Sequence, residues 1–212
     1  NLQKKWGSVI NLFEKSKTEK EIKIGIVAKY LDNADSYYSV IESLRIAAWH
    51  AHAKLKFEWV DAEKLIEREL EKYDGILVPG GFGSCGIEGK IAAAQFALKN
   101  KVPYLGLCLG LQVAVIAAAR LGGLKNANSE EFVENLKENV IYIMEDQKGK
   151  VETGGTMRLG VQTCYVKKNT LAYKTFGKEK IEERHRHRFE VNRKFEKYFN
   201  KGGVVVGGTS KD

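Results

Sequence analysis

The 212-residue sequence predicts an α/β fold: a mostly parallel central sheet flanked by helices, with antiparallel strands added in the C-terminal third. Three observations carry this expectation. Short apolar runs alternate with helical patterns from Ile22 to Leu121. Those runs are almost continuously apolar, as strands buried on both faces of a parallel sheet must be. After about residue 139 the alternation gives way to strands of mixed polarity.

Taken in order, Ile22–Tyr30 (IKIGIVAKY) is rich in β-branched residues and reads as the first strand. Ser36–Ala53 then places Tyr37, Val40, Ile41, Leu44, Ala47, Ala48 and Ala51 on one helical stripe. Leu55–Val60 is a second strand, with Asp61 as the N-cap of a charged helix running to Leu70. Gly75–Pro79 is a third strand, Ile87–Asn100 a helix, and Val102–Leu107 a fourth strand leading straight into a helix over Leu109–Leu121. Val140–Met144, Met157–Val166, Arg186–Val191 and Val204–Gly208 read as later strands, added to the same domain over residues 21–212. Residues 1–20, with Leu2, Trp6, Val9, Ile10 and Phe13 on one side, predict an amphipathic linker helix arriving from an upstream domain. The chain opens on Asn1, not Met, and is expected to be part of a longer polypeptide.

Composition narrows the classes. Apolar residues are 43% and charged residues 29%, the balance of a globular chain, and two prolines exclude proline-rich linkers. Three cysteines without paired spacing exclude a disulfide framework and a zinc ribbon, and predict no metal site and a cytoplasmic setting. Val102–Ala119 is uncharged over eighteen residues, but Pro103, Gly106, Gly110 and Gln112 interrupt it. It reads as a buried strand turning into a buried helix, so no membrane span is expected. The net charge of +8 concentrates between Lys167 and Lys201, where twelve Lys or Arg stand against five Glu. That is a solvated face or a surface for nucleotide phosphates or an acidic partner; no nucleic-acid module accompanies it, and nucleic acid is not an expected partner.

The chemistry centres on Gly106-Leu107-Cys108-Leu109-Gly110, a G-x-C-x-G sequence at a strand-to-helix junction. It is the thiol counterpart of the nucleophile elbow, in which a strained turn lifts the nucleophile out of the sheet and glycines make room for it. Helix N-terminal amides favour the thiolate. The Leu109 amide would then face the oxygen that turns negative on attack, with a second donor from the glycine-rich loop Pro79-Gly80-Gly81-Phe82-Gly83. Cys85 and Cys164 lack that setting, and Cys164, in an alternating strand, reads as a core residue.

PGGFG at 79–83, EGK at 88–90, VPYLGLCLGLQ at 102–112, ANSEEF at 127–132, GGTMRLG at 154–160 and ERHRHRFEVN at 183–192 together resemble the glutaminase domain of the CTP synthases, within the class I (flavodoxin-like) glutamine amidotransferases. The resemblance runs in order from about Trp6 to the C-terminus. It implies hydrolysis of L-glutamine to glutamate and ammonia through a thioester on Cys108. It further implies an N-terminal amidoligase (synthetase) domain that uses the ammonia to convert UTP to CTP with ATP and Mg2+, GTP as allosteric effector, and a homotetramer in the full-length protein. This domain itself is expected to hold no cofactor.

Carried over by position, Gly81 and Leu109 form the oxyanion hole. Gly110, Leu111 (where the family has Met) and Gln112 line the glutamine pocket with them, and Glu131 and Arg188 hold the amino-acid end. An anion and a bidentate cation suit a free amino acid's ammonium and carboxylate. Without the resemblance, Arg184, Arg186 and Arg188 on one strand face read equally as an ion network with Glu182 and Glu190, and His50 and His52 as ordinary helix residues. His185 and His187 are not expected to be the general base.

The chain departs from the family at three places. The His-Pro-Glu segment that completes the family's triad is not in these 212 residues, and the resemblance places it beyond Asp212. Cys85 stands where the family has arginine, in a loop resembling the lid linked to GTP activation. Ala117-Ala118 replaces an acidic-aromatic pair. A second reading follows from the first of these: a catalytically incomplete or pseudo-glutaminase fragment that binds glutamine or its partner domain.

Overall fold

The structure, a computed structural model, describes residues 2–16, 20–29, 31, 34–133, 135–149 and 157–210. Its chain divides into two compact units, Asn1–Val113 and Ala114–Asp212.

In the first unit, α1 (Leu2–Ser16) leads to β1 (Glu21–Ala28), α2 (Tyr38–His50), β2 (Lys54–Asp61), β3 (Gly75–Val78), α3 (Ile87–Asn100), β4 (Tyr104–Gly106) and the start of α4 (Leu109–Leu121). The strands form one sheet in the order β2-β1-β3-β4, parallel throughout. One face is covered by Tyr37 and by Val40 and Leu44 of α2, packed on Ile24, Ile26 and Leu77. Val27, Ile76 and Val78, which alternate to the other face, are equally buried. Both faces are therefore covered, which is why the strands read as unbroken apolar runs.

The expected helix over Asp61–Leu70 is not present. β2 runs on through Asp61, which pairs with Ala28. The Asp61 carboxylate accepts the Glu63 amide at 2.9 Å, closing a turn in place of a cap, and a short 3-10 helix covers Glu67–Lys72. Leu70 is the one buried residue of that piece, too little apolar surface to hold an α-helix on the sheet. The helix expected from Ser36 opens with a 3-10 turn over Ala34–Tyr37 and becomes α-helical at Tyr38. Val102–Ala119 is a strand and helix joined at Cys108, and among the described residues no helix is long and apolar enough to cross a membrane.

In the second unit, β5 (Asn128–Ser129), β6 (Asn139–Ile143), β7 (Arg158–Val166), α5 (Leu171–Phe176), β8 (Lys180–His187), β9 (Phe189–Val191), α6 (Glu196–Lys201) and β10 (Gly208–Thr209) follow α4. They make two three-stranded sheets, β10-β7-β8 and β5-β6-β9. The single strand expected over Arg186–Val191 is thus split at Arg188, its first part antiparallel to β7 and its last to β6. Alternation alone carries no record of which partner each half pairs with. Of the expected Val204–Gly208 strand, Gly208 pairs with Val166 of β7 and the Gly207 carbonyl accepts the Lys167 amide at 2.7 Å. The buried Ala117 and Ala118 belong to α4, and the Ala118 carbonyl lies where a Cβ on Gly202 would stand, at 1.8 Å. A small-residue helix surface is what admits that approach.

Candidate active site

β3 and β4 are adjacent and parallel, so the loops that follow them leave the same edge of the sheet. In open α/β sheets that carboxyl edge is where ligands bind. The loop after β4 is the elbow. Cys108 sits at φ 53°, the left-handed region that a side-chain-bearing residue enters at a cost of about 1–3 kcal/mol. It is exposed, while Leu109 and Gly110 behind it are buried. The turn is held shut by backbone. A Cβ on Gly106 would stand 2.4 Å from the Gly110 carbonyl, and one on Gly110 would stand 1.9 Å from the Val78 carbonyl oxygen. Neither position admits any other residue without moving main chain.

The amides of Gly110, Leu111 and Gln112 donate to the carbonyls of Leu107 and Cys108 at 2.9–3.2 Å. Leu109 is the first residue of α4, so its N–H has no carbonyl one turn back within the helix. The Tyr104 hydroxyl donates to the Gly110 carbonyl at 2.8 Å, tying the start of β4 to the first turn of α4. Burial pushes that phenol far above its ordinary pKa, so it remains a donor at every physiological pH.

The loop after β3 lies against the elbow. A Cβ on Gly80 would meet the Cys108 Cβ at 3.5 Å, and one on Gly81 would meet Leu109 Cδ2 and Lys90 Nζ, each at 3.5 Å. The Lys29 ammonium, at the end of β1, donates to the Phe82 carbonyl at 3.4 Å and braces the loop from the neighbouring strand. Gly83 and Gly86 take positive φ on either side of the exposed Cys85. Leu111 is 51% exposed, and Gln112 is buried in α4.

In the second unit, Glu131 follows β5 and Arg188 precedes β9, and these two strands flank β6. β5 runs parallel and β9 antiparallel to β6, so both residues come to the Ile143 end of that sheet. The Glu131 amide donates to Ser129 Oγ at 3.2 Å, and the Arg188 carbonyl accepts from the Met144 amide at 3.1 Å. Neighbours fix the frame: Glu130 accepts the Ile143 amide at 2.8 Å, and Tyr142 donates to Glu190 at 2.6 Å. The Glu190 carboxylate pushes the Tyr142 phenol up to about 12. Because the chain changes sheet at Arg188, this arginine leaves the row that Arg184 and Arg186 form on β8.

The histidines are tied to each other. His187 Nδ1 meets the Phe189 carbonyl at 3.0 Å and must donate there, so its Nε2 accepts from His185 Nδ1 at 2.8 Å. Burial, first of all, holds both below the usual imidazole range. The one lone pair of the neutral His187 ring is thus engaged by His185. Burial raises the half-buried Cys164 thiol, which disfavours its thiolate. Of the features that bear on the elbow, Tyr104 and Lys90 appear in the sequence only within the motifs VPYLGLCLGLQ and EGK that carry the resemblance, with no role assigned to either. Tyr104 gives no local signal. Lys90 falls on the apolar stripe Ile87, Ile91, Ala94 of α3, which is the signal that could have found it.

Residues 32–212 match the sequence profile of the family described as glutamine amidotransferase class-I. The chain belongs to the class-I glutamine amidotransferase family. A solved structure of this family, the glutaminase domain of Trypanosoma brucei CTPS with bound acivicin, superposes with a TM-score of 0.83 at 36% identity, covering 90% of this chain and 75% of that one. The CTP synthase of Carboxydothermus hydrogenoformans is 46% identical over 98% of this chain and 39% of its own length. That of Methanothermobacter thermautotrophicus is 46% identical over 92% and 37%. The chain thus spans about two fifths of the length of the curated relatives it matches. These matches favour an amidotransferase domain of the CTP synthase type over the pseudo-glutaminase reading.

Proposed function

We propose that this chain is the glutaminase part of a CTP synthase and that Cys108 is its nucleophile. The thiolate attacks the side-chain carboxamide carbon of L-glutamine, and the carbonyl electrons move to the oxygen, facing the amides of Gly81 and Leu109. Collapse breaks the C–N bond, and the nitrogen leaves as ammonia with the proton given up by the thiol. Water then hydrolyses the thioester, returning the thiol and releasing glutamate. Each oxyanion donor contributes about 2.7–4 kcal/mol to such a step. Glu131 takes the substrate's ammonium and Arg188 its carboxylate, while Gly110, Leu111 and Gln112 line the side-chain pocket. The ammonia serves an amidoligase domain that aminates UTP with ATP and Mg2+, in a cytoplasmic homotetramer. Cys85 replaces the guanidinium of the loop that resembles the lid linked to GTP activation, so a response to GTP would have to arise without it.

One observation carries this reading: an exposed thiol at positive φ, between two glycines whose Cβ positions are filled by backbone, with the Gly80–Gly81 loop against it. The test is a glutamine-derived chloroketone applied to the full-length protein. Peptide mass analysis should find one adduct, on Cys108, and none in Cys108→Ala. An adduct on Cys85, or no adduct, removes the assignment.

A further inference from the structure

Lys90 is 1% exposed and among the largest side chains sealed in the interior. The position is doubly unfavourable for an ammonium. Burial strips its water, and the first turn of α3 already carries the positive end of the helix dipole. A methionine or leucine would fill the same stripe at no electrostatic cost. What distinguishes the place is its neighbour: Nζ lies 3.5 Å from the point where a Cβ on Gly81 would be, and Leu109 Cδ2 is equally close to that point. The buried cation therefore stands beside Gly81, one of the two residues proposed as oxyanion donors, at the point that Leu109, the other, also meets.

We infer that Lys90 is a positioning residue for the thiol chemistry. Its ammonium braces the Gly80–Gly81 loop so that the Gly81 amide is presented to the elbow, and its potential favours the negative charge that forms on the sulfur and then on the carbonyl oxygen. A charge inside the protein acts across several ångströms with far less screening than one in water. Among the described residues, the other charged groups on the surrounding elements are wetter: Glu63 after β2 and Glu88 on α3 are exposed, and Lys29 after β1 is half-buried with its ammonium on the Phe82 carbonyl. Among these, Lys90 is the sealed cation. The inference rests on the glutaminase reading.

The experiment compares the full-length protein with Lys90→Met, Lys90→Gln and Lys90→Arg, reading kcat and KM for glutamine and the pH profile of Cys108 alkylation by iodoacetamide. In Lys90→Met, kcat should fall about tenfold with little change in KM, because the lost interaction is felt where charge develops. The alkylation midpoint should move up by about one pH unit, since removing a nearby cation disfavours the thiolate. Lys90→Arg should keep the midpoint of the parent. Should Lys90→Met not fold, Lys90→Gln is expected to show the same upward shift. An unmoved midpoint in whichever neutral variant folds overturns the inference and leaves Lys90 a packing residue. A parent protein that neither alkylates at Cys108 nor releases ammonia signals instead that the glutaminase reading itself has failed.

Discussion

At the scale of single residues, the elbow concentrates strain on one atom group. Cys108 holds a left-handed backbone conformation that glycine adopts freely and cysteine does not. Replacing it tests that strain independently of chemistry. Cys108→Gly should be more stable than Cys108→Ala by about 1 kcal/mol, read from urea midpoints, with both inactive. Equal midpoints would show the turn to be relaxed. Tyr104→Phe removes the hydroxyl that ties β4 to α4 and should cost about 1 kcal/mol. Because the Gly110 carbonyl sits in the turn that presents Cys108, the same variant should lower kcat more than it raises KM.

Elements show why some of the pattern was legible and some was not. Gly106, Cys108 and Gly110 were readable because a turn this tight leaves almost no choice of residue. The Asp61–Leu70 helix was misread because capping and charge spacing are local signals, and strand pairing through Asp61 with Ala28 overrode them. The split at Arg188 was invisible for a related reason: Arg186–Val191 has one alternation, yet its halves join different sheets. That split matters to the site, since it takes Arg188 away from Arg184 and Arg186. Helix packing offers a further test in the second unit. Gly202→Ala would drive a Cβ into the Ala118 carbonyl and should cost about 3 kcal/mol by denaturant unfolding. Gly7→Ala, in α1 with open space around it, should instead gain up to about 1 kcal/mol.

For the whole molecule, acid should destabilise the fold in two steps of known sign. His185 and His187 titrate below their ordinary value, so the folded state binds fewer protons than the unfolded one. Their contribution is full above about pH 6.5 and fades as pH falls below it. Glu58 is held at about 2 by hydrogen bonds from Lys23, Lys72 and Tyr73, so its contribution persists above about pH 4.5 and is lost toward pH 2. Urea midpoints against pH should show both steps, and His185→Gln with His187→Gln should flatten the first. Ammonia release is the functional counterpart. The 212-residue chain should hydrolyse glutamine far more slowly than the full-length protein, and comparable rates would make His185 or His187 the base despite the bond between them.

The parallel sheet, the elbow cysteine and its glycines were determined by the sequence itself, because continuous apolar runs and sterically forced turns are local constraints written residue by residue. The glycine-rich loop was expected at the elbow, but tertiary structure alone decided how closely Gly80 lies against Cys108, that a lysine from α3 is sealed beside Gly81, and that Glu131 and Arg188 reach one end of a sheet. Those are contacts between segments distant along the chain, and they depend on strand order and packing, which no local pattern encodes.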